Sequence, residues 1–475
     1  MSETDLTAVA ADTSHDEPIA VEPQLDEDDR LKPEFVRAVL DAVEAGDNEA
    51  ARALVEPLHP ADIADLFELA PQDDRAALAA AIRDLVDADV FAELNDYVRD
   101  DLIDALEPHE VADIASELDT DDAVAILEDM DVEDQREVLR AMEPDDRAAI
   151  EEALSYPEES AGRLMQRELI AVPEHWTVGD VLTYLRSNDD LTTDFWEIFV
   201  VDPAHKPIGT CQLSWIMRTP RSVAMGDVMA REQTLIPVDM DQEEVALRFQ
   251  KYALISAAVV DGSGRLVGMI TVDDIVHIIQ QEASEDILRM SGAGDGDINE
   301  PIVLTIRTRM WWLFVNLGTA ILASAVVAAF QDTISRLVTL AVLMPIVTGM
   351  GGNAATQTMA VTVRALATNQ LTSSNTWRMI AREWWIASAN GLGLGVLMAI
   401  GCQLVYHDWW LSFVLLLAMI LNSLNAGLSG VLIPLGLERL KIDPAVTSTV
   451  FVTTMTDTFG FFFFLGLAAL FQLHS

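Results

Sequence analysis

Thr453-Thr-Met-Thr-Asp457-Thr-Phe-Gly-Phe-Phe-Phe-Phe-Leu-Gly-Leu467 sets one carboxylate near the start of an otherwise apolar stretch. The stretch has the composition of a membrane-spanning helix. An isolated carboxylate in hydrocarbon is costly, so it is expected to face a wet cavity or a cation. Asp457 is the only acidic residue after Asp443. A blander reading puts it at the bilayer interface, or protonated and satisfied by neighbouring threonines. The rest of the chain has to decide between the two.

Four further apolar stretches precede it, giving spans at about Met310–Phe330, Leu337–Val363, Trp384–Tyr406, Leu411–Leu435 and Val446–Leu473. Each holds roughly the 20 residues needed to cross about 30 Å of hydrocarbon. Arg307 and Arg309 precede the first span, Arg364, Arg378 and Arg382 separate the second from the third, and Arg439 and Lys441 separate the fourth from the fifth. The alternate loops carry Asp332, His407 and Asp408, with Arg336 at a span start. The positive-inside rule then puts the N-terminal part in the cytoplasm and the C-terminus outside a plasma (inner) membrane. Trp311, Trp312, Trp384, Trp385, Trp409 and Trp410 lie at span ends, as an interfacial belt requires.

The second span contains Met344-Pro345-Ile-Val-Thr-Gly349-Met-Gly351-Gly352-Asn353-Ala-Ala-Thr356-Gln357. Proline and three glycines this close are expected to break the helix, and broken backbone at membrane depth lines a cavity or is packed in protein. Helix packing through small residues is the competing explanation. It accounts for the glycines but not for Asn353 and Gln357. Asn422 and Asn425 in the fourth span are packing glue or pore lining. Asp443, in Ile442-Asp443-Pro444, is placed to cap the last helix or to stand at a pore mouth. One carboxylate with neutral oxygens suits a hard cation, whereas a soft metal would want Cys or His. Mg2+, which dehydrates reluctantly, fits so sparsely charged a pathway.

The two halves of the chain differ sharply in charge. Residues 301–475 carry 8 Lys/Arg and 6 Asp/Glu of the chain's 29 and 78, leaving 21 and 72 in residues 1–300, a balance of −51 there. So acidic a region repels nucleic acid and attracts divalent cations. Solubility in a salty cytoplasm would also explain it, as would the four lysines against 25 arginines. Cys211 and Cys402 build neither a disulfide framework nor a zinc site. Residues 1–30 read as a disordered acidic tail without the apolar core of a cleavable signal. Residues 31–155 repeat a unit of Pro at a first helical turn with apolar residues at helical spacing, around Pro60, Pro108 and Pro144. That predicts an all-α superhelical domain. The carboxylates at Asp119, Asp121 and Asp122 are a solvated face or part of a metal site.

Residues 156–283 switch to short Val/Ile-rich strands alternating with helices. Leu164–Val181 resembles Val228–Val245, and each continues into a strand pair, Ile198–Gly209 and Ala257–Gly268. This α/β region resembles a tandem pair of CBS domains, which implies dimerisation and adenine-nucleotide binding. The second repeat ends in Gly268-Met-Ile-Thr271-Val-Asp-Asp274, similar to nucleotide-binding endings in which Thr271 would hold phosphate and Asp274 ribose. The first ends in Gly209-Thr-Cys-Gln212 and lacks both, so ATP as a ligand stays open. Residues 284–309 read as a connecting helix into the membrane domain, 310–475.

The order of an acidic helical domain, paired CBS domains, a connecting helix and five spans resembles the MgtE family of magnesium channels over residues 31–475. The motifs carrying the resemblance are Pro-x5-Gly-Gly-Asn-x3-Gln, Arg-Ala-Leu-Ala-Thr at 364–368, Asp-Pro-Ala and Thr-x-Thr-Asp. It implies a multidomain homodimer, not an enzyme, with a five-helix all-α transmembrane domain and a pore on the dimer axis lined by the second and fifth spans. By the resemblance, Gly351, Gly352, Asn353, Gln357 and Thr453 line the pore, Asp457 holds hydrated Mg2+, and Asp443 stands at the cytoplasmic mouth. It further implies that Mg2+ bound between the cytoplasmic domains and the connecting "plug" helices closes the pore. Asp241, Glu243, Asp274, Glu282, Glu285, Asp286 and Asp121 are then the sensing ligands. His277, where the family often has an acid, and Ala354-Ala355, in place of Thr-Gly, depart from the pattern. A membrane-anchored CBS nucleotide or metal sensor without transport is the alternative. An intramembrane metalloprotease would need His-Glu-x-x-His, which no stretch supplies.

Overall fold

The computed structural model describes residues 24–103, 106–128, 130–187, 195–291, 299–372 and 374–472, and within these the side chains of 286, 291, 446–448 and 472 are excepted. Most of the expected acidic tail lies outside the described residues. Its last part is folded: Asp26 Oδ1 accepts from the backbone N–H of Asp28 (2.9 Å) and Arg30 (3.0 Å), and Leu31 is buried. An Asx turn, and Leu25 packed half-buried against the helical core, thus order the stretch just ahead of residue 31. The chain divides into two units, residues 1–276 and 277–475.

The first unit begins with helices α1 (Pro33–Glu44), α2 (Asn48–Val55), α3 (Pro60–Leu69), α4 (Gln72–Ala81), α5 (Ala88–Glu93), α6 (Asp96–Ile103), α7 (Pro108–Glu117), α8 (Thr120–Glu128), α9 (Val132–Ala141) and α10 (Pro144–Leu154). Pro60, Pro108 and Pro144 each occupy the first position of their helix, where the missing N–H would have had no partner. Helix α3 packs on α5, α5 on α7, α7 on α9 and α8 on α10. That skip-one stacking is the superhelix. Its core runs through Leu66, Phe67, Leu78, Ile126 and Leu127.

Two three-stranded sheets follow. The first is built from β1 (Ala171–Pro173), β2 (Glu197–Val201) and β3 (Pro207–Gln212), with helices α11 (Val178–Ser187) and α12 (Leu213–Arg218). After α13 (Met225–Val228), the second is built from β4 (Leu235–Pro237), β5 (Ser256–Val260) and β6 (Leu266–Thr271), with α14 (Gln242–Tyr252) and α15 (Val272–Ser291). In both, the first strand pairs parallel and the third antiparallel to the middle strand. Each middle strand carries a register shift at the same place, Val200/Val201 and Val259/Val260. The repeat seen in the sequence is therefore a repeat in three dimensions.

The repeats also exchange edges. Gln166, ahead of β1, trades both backbone hydrogen bonds with Met269 of β6 (2.8 and 2.9 Å), and Ala230, ahead of β4, does the same with Thr210 of β3 (2.8 and 3.0 Å). Glycine is required where each incoming segment crosses. A Cβ on Gly209 would lie 2.7 Å from Ala230 O, and one on Gly268 2.8 Å from Gln166 O. These contacts are with backbone, so they do not relax cheaply.

The second unit comprises the rest of α15 and then α16 (Ile302–Ala329), α17 (Gln331–Arg336), α18 (Thr339–Ala367), α19 (Thr376–Tyr406), α20 (Trp409–Arg439) and α21 (Pro444–Gln472). The single connecting helix expected over 284–309 is two elements: α15 ends at Ser291, and Pro301 starts α16 as its N-cap. Helices α16, α19, α20 and α21 are long and apolar enough to cross a membrane. Helix α18 is equally long at 29 residues, but its polar, glycine-rich centre dilutes its hydropathy. Helix α20 is central, packing on α18, α19 and α21, while α16 touches only α21 among the long helices to any extent.

Helix α18 corrects the expectation of a broken second span, since it runs unbroken through Pro345, Gly349, Gly351 and Gly352. Neighbouring hydroxyls shore up the backbone, Thr348 donating to Met344 O (3.2 Å) and Thr356 to Gly352 O (3.0 Å). Gly351, and Gly430 of α20, serve close approach instead, whereas Gly349 and Gly352 have open space beside them. A Cβ on Gly351 would overlap the side-chain amide of Asn422, and one on Gly430 would sit 2.9 Å from Ala355 O. Small-residue packing, the competing explanation, is what Gly351 does.

Gly268→Ala is expected to destabilise the paired sheets by about 1–3 kcal/mol, the range for overpacking. Hydrogen exchange on the full-length protein checks it: amides of β6 and of the residue 166 segment should lose protection together, while those of α18 stay unchanged.

Candidate functional site

Two constellations merit attention, one in each unit. In the first unit, the start of α8 carries Asp121 and Asp122, and the start of α15 carries Asp274. Both positions are first turns, where carboxylates favour the helix dipole. Asp274 closes a capping arrangement, accepting from Thr271 Oγ1 (2.5 Å) and, at longer range, from Thr271 N (3.4 Å). Asp121 is only 9% exposed, and its Oδ1 has no hydrogen-bond partner among the described residues. Burial, then the charges of Asp274, Asp122 and Asp119, push the Asp121 carboxyl well above the ordinary carboxylate range. Burial, then Asp274 and Asp119, raise Asp122 to about 6.

The helical domain and the paired sheets are thus held face to face with like charges between them. The contact is clamped nearby. Thr120 Oγ1 donates to Glu168 (2.7 Å), Arg163 pairs with Glu128 (2.8 Å) and Arg167 with Glu152 (2.6 Å). Such a patch suits a hard divalent cation, which would neutralise the charges and satisfy the orphaned Asp121 oxygen. Among the described residues no group of three or more His, Cys, Asp or Glu closes into a metal cage.

The other sensing residues fall elsewhere. Asp241 caps α14, accepting from Glu243 N (3.0 Å). Glu282 and Glu285 lie on the part of α15 in the second unit, and the Asp286 side chain lies outside those described. His277 is exposed on the same helix.

The second constellation surrounds α21. Asp443 accepts from Ala445 N (2.7 Å), capping that helix, and its other oxygen pairs with Arg289 Nη1 (3.0 Å) at the end of α15. Arg289 also pairs with Glu285 one turn back. Thr449 Oγ1 donates to the Met290 carbonyl (2.6 Å). The last turn of α15 is thereby latched to the first turns of α21, with a guanidinium resting on Asp443. Arg289 was not anticipated from sequence, because nothing local marks a pairing partner 154 residues away.

Farther along α21, Thr453 and Asp457 lie one turn apart on a face left uncovered in the single chain. Asp457 is half-buried and has no side-chain hydrogen bond or ion pair among the described residues. On α18, Asn353 and Gln357 are likewise one turn apart and exposed, with Gly352 intermediate. Gly351 is buried, with the Asn422 side chain packed where its own side chain would be. Asn422 Nδ2 donates to Val347 O (2.8 Å) and Asn425 Nδ2 to Met455 O (3.2 Å), so both amides join helices.

With this geometry in place, the similarity to known proteins is informative. Residues 344–467 match the family model described as a divalent cation transporter, residues 58–159 that of the MgtE intracellular N domain, and residues 225–281 that of the CBS domain. The magnesium transporter MgtE of Thermus thermophilus is 31% identical over 330 residues, which covers 68% of this chain and 72% of that protein. The magnesium transporter MgtE of Bacillus subtilis is 29% identical over 328 residues, 69% of this chain and 72% of that one. Among solved structures, the cytosolic domain of the Mg2+ channel MgtE in complex with ATP is 28% identical; the match covers 51% of this chain and 99% of that one, with a TM-score of 0.46.

Raised carboxyl pKa values set a pH dependence with a definite sign. An acid whose folded-state pKa is raised favours the fold while protonated. The contribution is complete below the ordinary carboxylate range and is lost as pH rises from there through about 6 at Asp122. Without divalent cations, amide protection of α8 is expected to be about tenfold greater at pH 5 than at pH 7.5, allowing for solvent screening. Added Mg2+ should restore protection at pH 7.5. Hydrogen exchange corrected for intrinsic rates measures both, and Asp122→Asn should flatten the profile.

Proposed function

This chain belongs to the MgtE family of magnesium transporters and is a multi-pass membrane protein, and on that premise we propose that it is a Mg2+-selective channel closed by intracellular Mg2+. The observation carrying the proposal is the uncovered polar face of α21. Asp457 and Thr453 sit on it without side-chain partners among the described residues, beside α18 with its exposed Asn353 and Gln357. A carboxylate in that position needs a wet cavity. A second copy of the chain, related by a two-fold axis, would supply the opposite wall and a second Asp457. Two carboxylates and neutral oxygens would then face one hydrated cation, with Gly352 giving the backbone room.

Gating follows from linkage. Mg2+ shifts the population only if it binds the closed state better. In the first unit it would relieve repulsion among Asp121, Asp122 and Asp274. Along α15 it would screen Glu282, Glu285 and Asp286. Asp241 and Glu243 complete the proposed sensing set. The Arg289 latch gives this device a mechanical end: a tethered cation occupies the pore-mouth carboxylate Asp443, where an entering ion would have to bind. As cytoplasmic Mg2+ falls, α15 leaves, Arg289 goes with it, and Asp443 becomes available.

By the positive-inside rule, the arginine-rich loops support N-terminal domains in the cytoplasm and a C-terminus outside. ATP remains a proposed ligand of the second repeat. Thr271 and Asp274 would have to give up their mutual hydrogen bond to take phosphate and ribose, so nucleotide binding and the capping of α15 compete.

Asp457→Asn is expected to lower Mg2+ flux into liposomes by about a hundredfold or more with the assembly intact by size exclusion. Undiminished flux would sink the pore assignment, and absent flux in the unaltered protein would favour the sensor without transport. Arg289→Ala removes a half-exposed pair, so it should raise the Mg2+ concentration that closes the channel by about two- to fivefold. Patch recording with stepped internal Mg2+ reads that shift.

A further inference from the structure

Between the end of α18 and the start of α19 a cavity of about 380 Å3 is lined by Arg364, Arg378 and Arg382 together with Gln370 and Asn375. Among the described residues none of the three guanidinium groups has an ion-pair or hydrogen-bonding partner. The neighbouring carboxylate, Glu383, is no counter-ion to them. It is buried in the helix bundle, where it accepts from Thr358 Oγ1 (3.2 Å). The positive-inside rule accounts for arginines in this loop but not for three of them, within 19 residues of a chain with a formal charge of −49, lining one hollow. Arg378 and Arg382 also stand one turn apart on the same helix, a like-charged spacing that costs helix stability unless an anion lies between them.

The hollow is built, not a chance gap between floppy side chains. The loop beneath it is pinned by Leu371 N donating to Ala365 O (2.8 Å), by Thr372 N donating to Asn375 Oδ1 (2.9 Å), and by Asn375 Nδ2 donating to Gln370 O (2.8 Å). Leu371 is buried against Val431 and Leu435. The N-terminus of the 31-residue α19 opens on the same place and has no acidic residue in its first turn, so its positive end is uncompensated. Forked guanidinium groups with a helix N-terminus are the donor set for a phosphate group. Exposed Trp377 (78%) and Trp385 (70%) flank the arginines along α19, which sets the cavity at the level of lipid headgroups.

We propose that Arg364, Arg378 and Arg382 form a binding site for a phosphate group, supplied by an anionic phospholipid headgroup or by soluble phosphate. The site lies where α18, proposed to line the pore, turns into α19, so its occupant would brace that turn.

Binding of short-chain phosphatidylglycerol, short-chain phosphatidylcholine and inorganic phosphate to the full-length protein in neutral detergent tests this. Phosphatidylglycerol should bind more tightly than phosphatidylcholine by about tenfold or more, and Arg378→Gln with Arg382→Gln, or Arg364→Gln alone, should remove most of that margin. Arg336→Gln, at the end of α17 just before the far end of α18, should leave it unchanged. Phosphatidylglycerol binding without phosphate binding supports a lipid occupant, and competition by inorganic phosphate supports a soluble one. Equal binding of the two lipids with no phosphate binding overturns the site, as does an undiminished margin in the glutamine variants. If the paired glutamine variant fails to fold, Arg378→Lys with Arg382→Lys serves. Lysine keeps the charge and loses the fork, so several-fold weaker binding supports the site and unchanged binding overturns it.

Discussion

The amide of Asn422 is the contact on which the membrane half depends. It is buried, donates to the Val347 carbonyl, and is approached from two sides by glycine, Gly351 of α18 and Gly460 of α21. A hydrogen bond of this kind between helices in a bilayer is worth about 0.6–2 kcal/mol. Its larger effect is on position. It draws three helices to backbone-level approach at one height, and so determines which faces of α18 and α21 are turned away from the bundle. Those outward faces carry Asn353, Gln357, Thr453 and Asp457. The polar groups with neutral partners are spent on packing, and the ones left over are the candidates for ions.

The soluble unit applies the same logic with the sign of the energy reversed. Instead of an amide that finds a carbonyl, it holds carboxylates that find each other. Asp121 and Asp122 are kept against Asp274 by clamps around the patch, Thr120–Glu168, Arg163–Glu128 and Arg167–Glu152, and the patch itself opposes them. A contact balanced in this way responds to anything that neutralises charge at its centre, whether proton or divalent cation. The negative balance of residues 1–300 is therefore more than solubility: at this patch it is buried, with Arg99 offsetting it only in part.

Much of this was legible in the sequence. Proline at first helical turns marked the superhelix, matching stretches marked the paired sheets, and hydropathy with arginine placement marked the spans. Asp457 stood out because one charge in an apolar run has few bland explanations. Legibility failed where meaning depends on a partner distant in the chain. Pro345 with three glycines has the local signature of a broken helix, and only Asn422 across the bundle shows that Gly351 makes room for a neighbour. Asp121 and Asp274 each stand out in the sequence, but their juxtaposition comes from packing one domain on another. Arg289 looked like any charged residue in a linker until Asp443 stood opposite. The end of α15 at Ser291 was missed because helical propensity and apolar spacing run on either side of the glycine-rich stretch before Pro301.

The exchanged strand edges have a consequence for how the chain is made. Neither sheet can close its own border: β3 is completed by Ala230, and Gln166 is completed by Met269, about a hundred residues later in synthesis. At ribosomal rates that is a wait of about 5–20 s with a segment of exposed backbone and apolar neighbours and nothing to pair with. Unpaired edges of this sort recruit other chains. The long acidic stretch made beforehand has by then already emerged, and its charge would keep nascent copies apart for as long as the edge stays open.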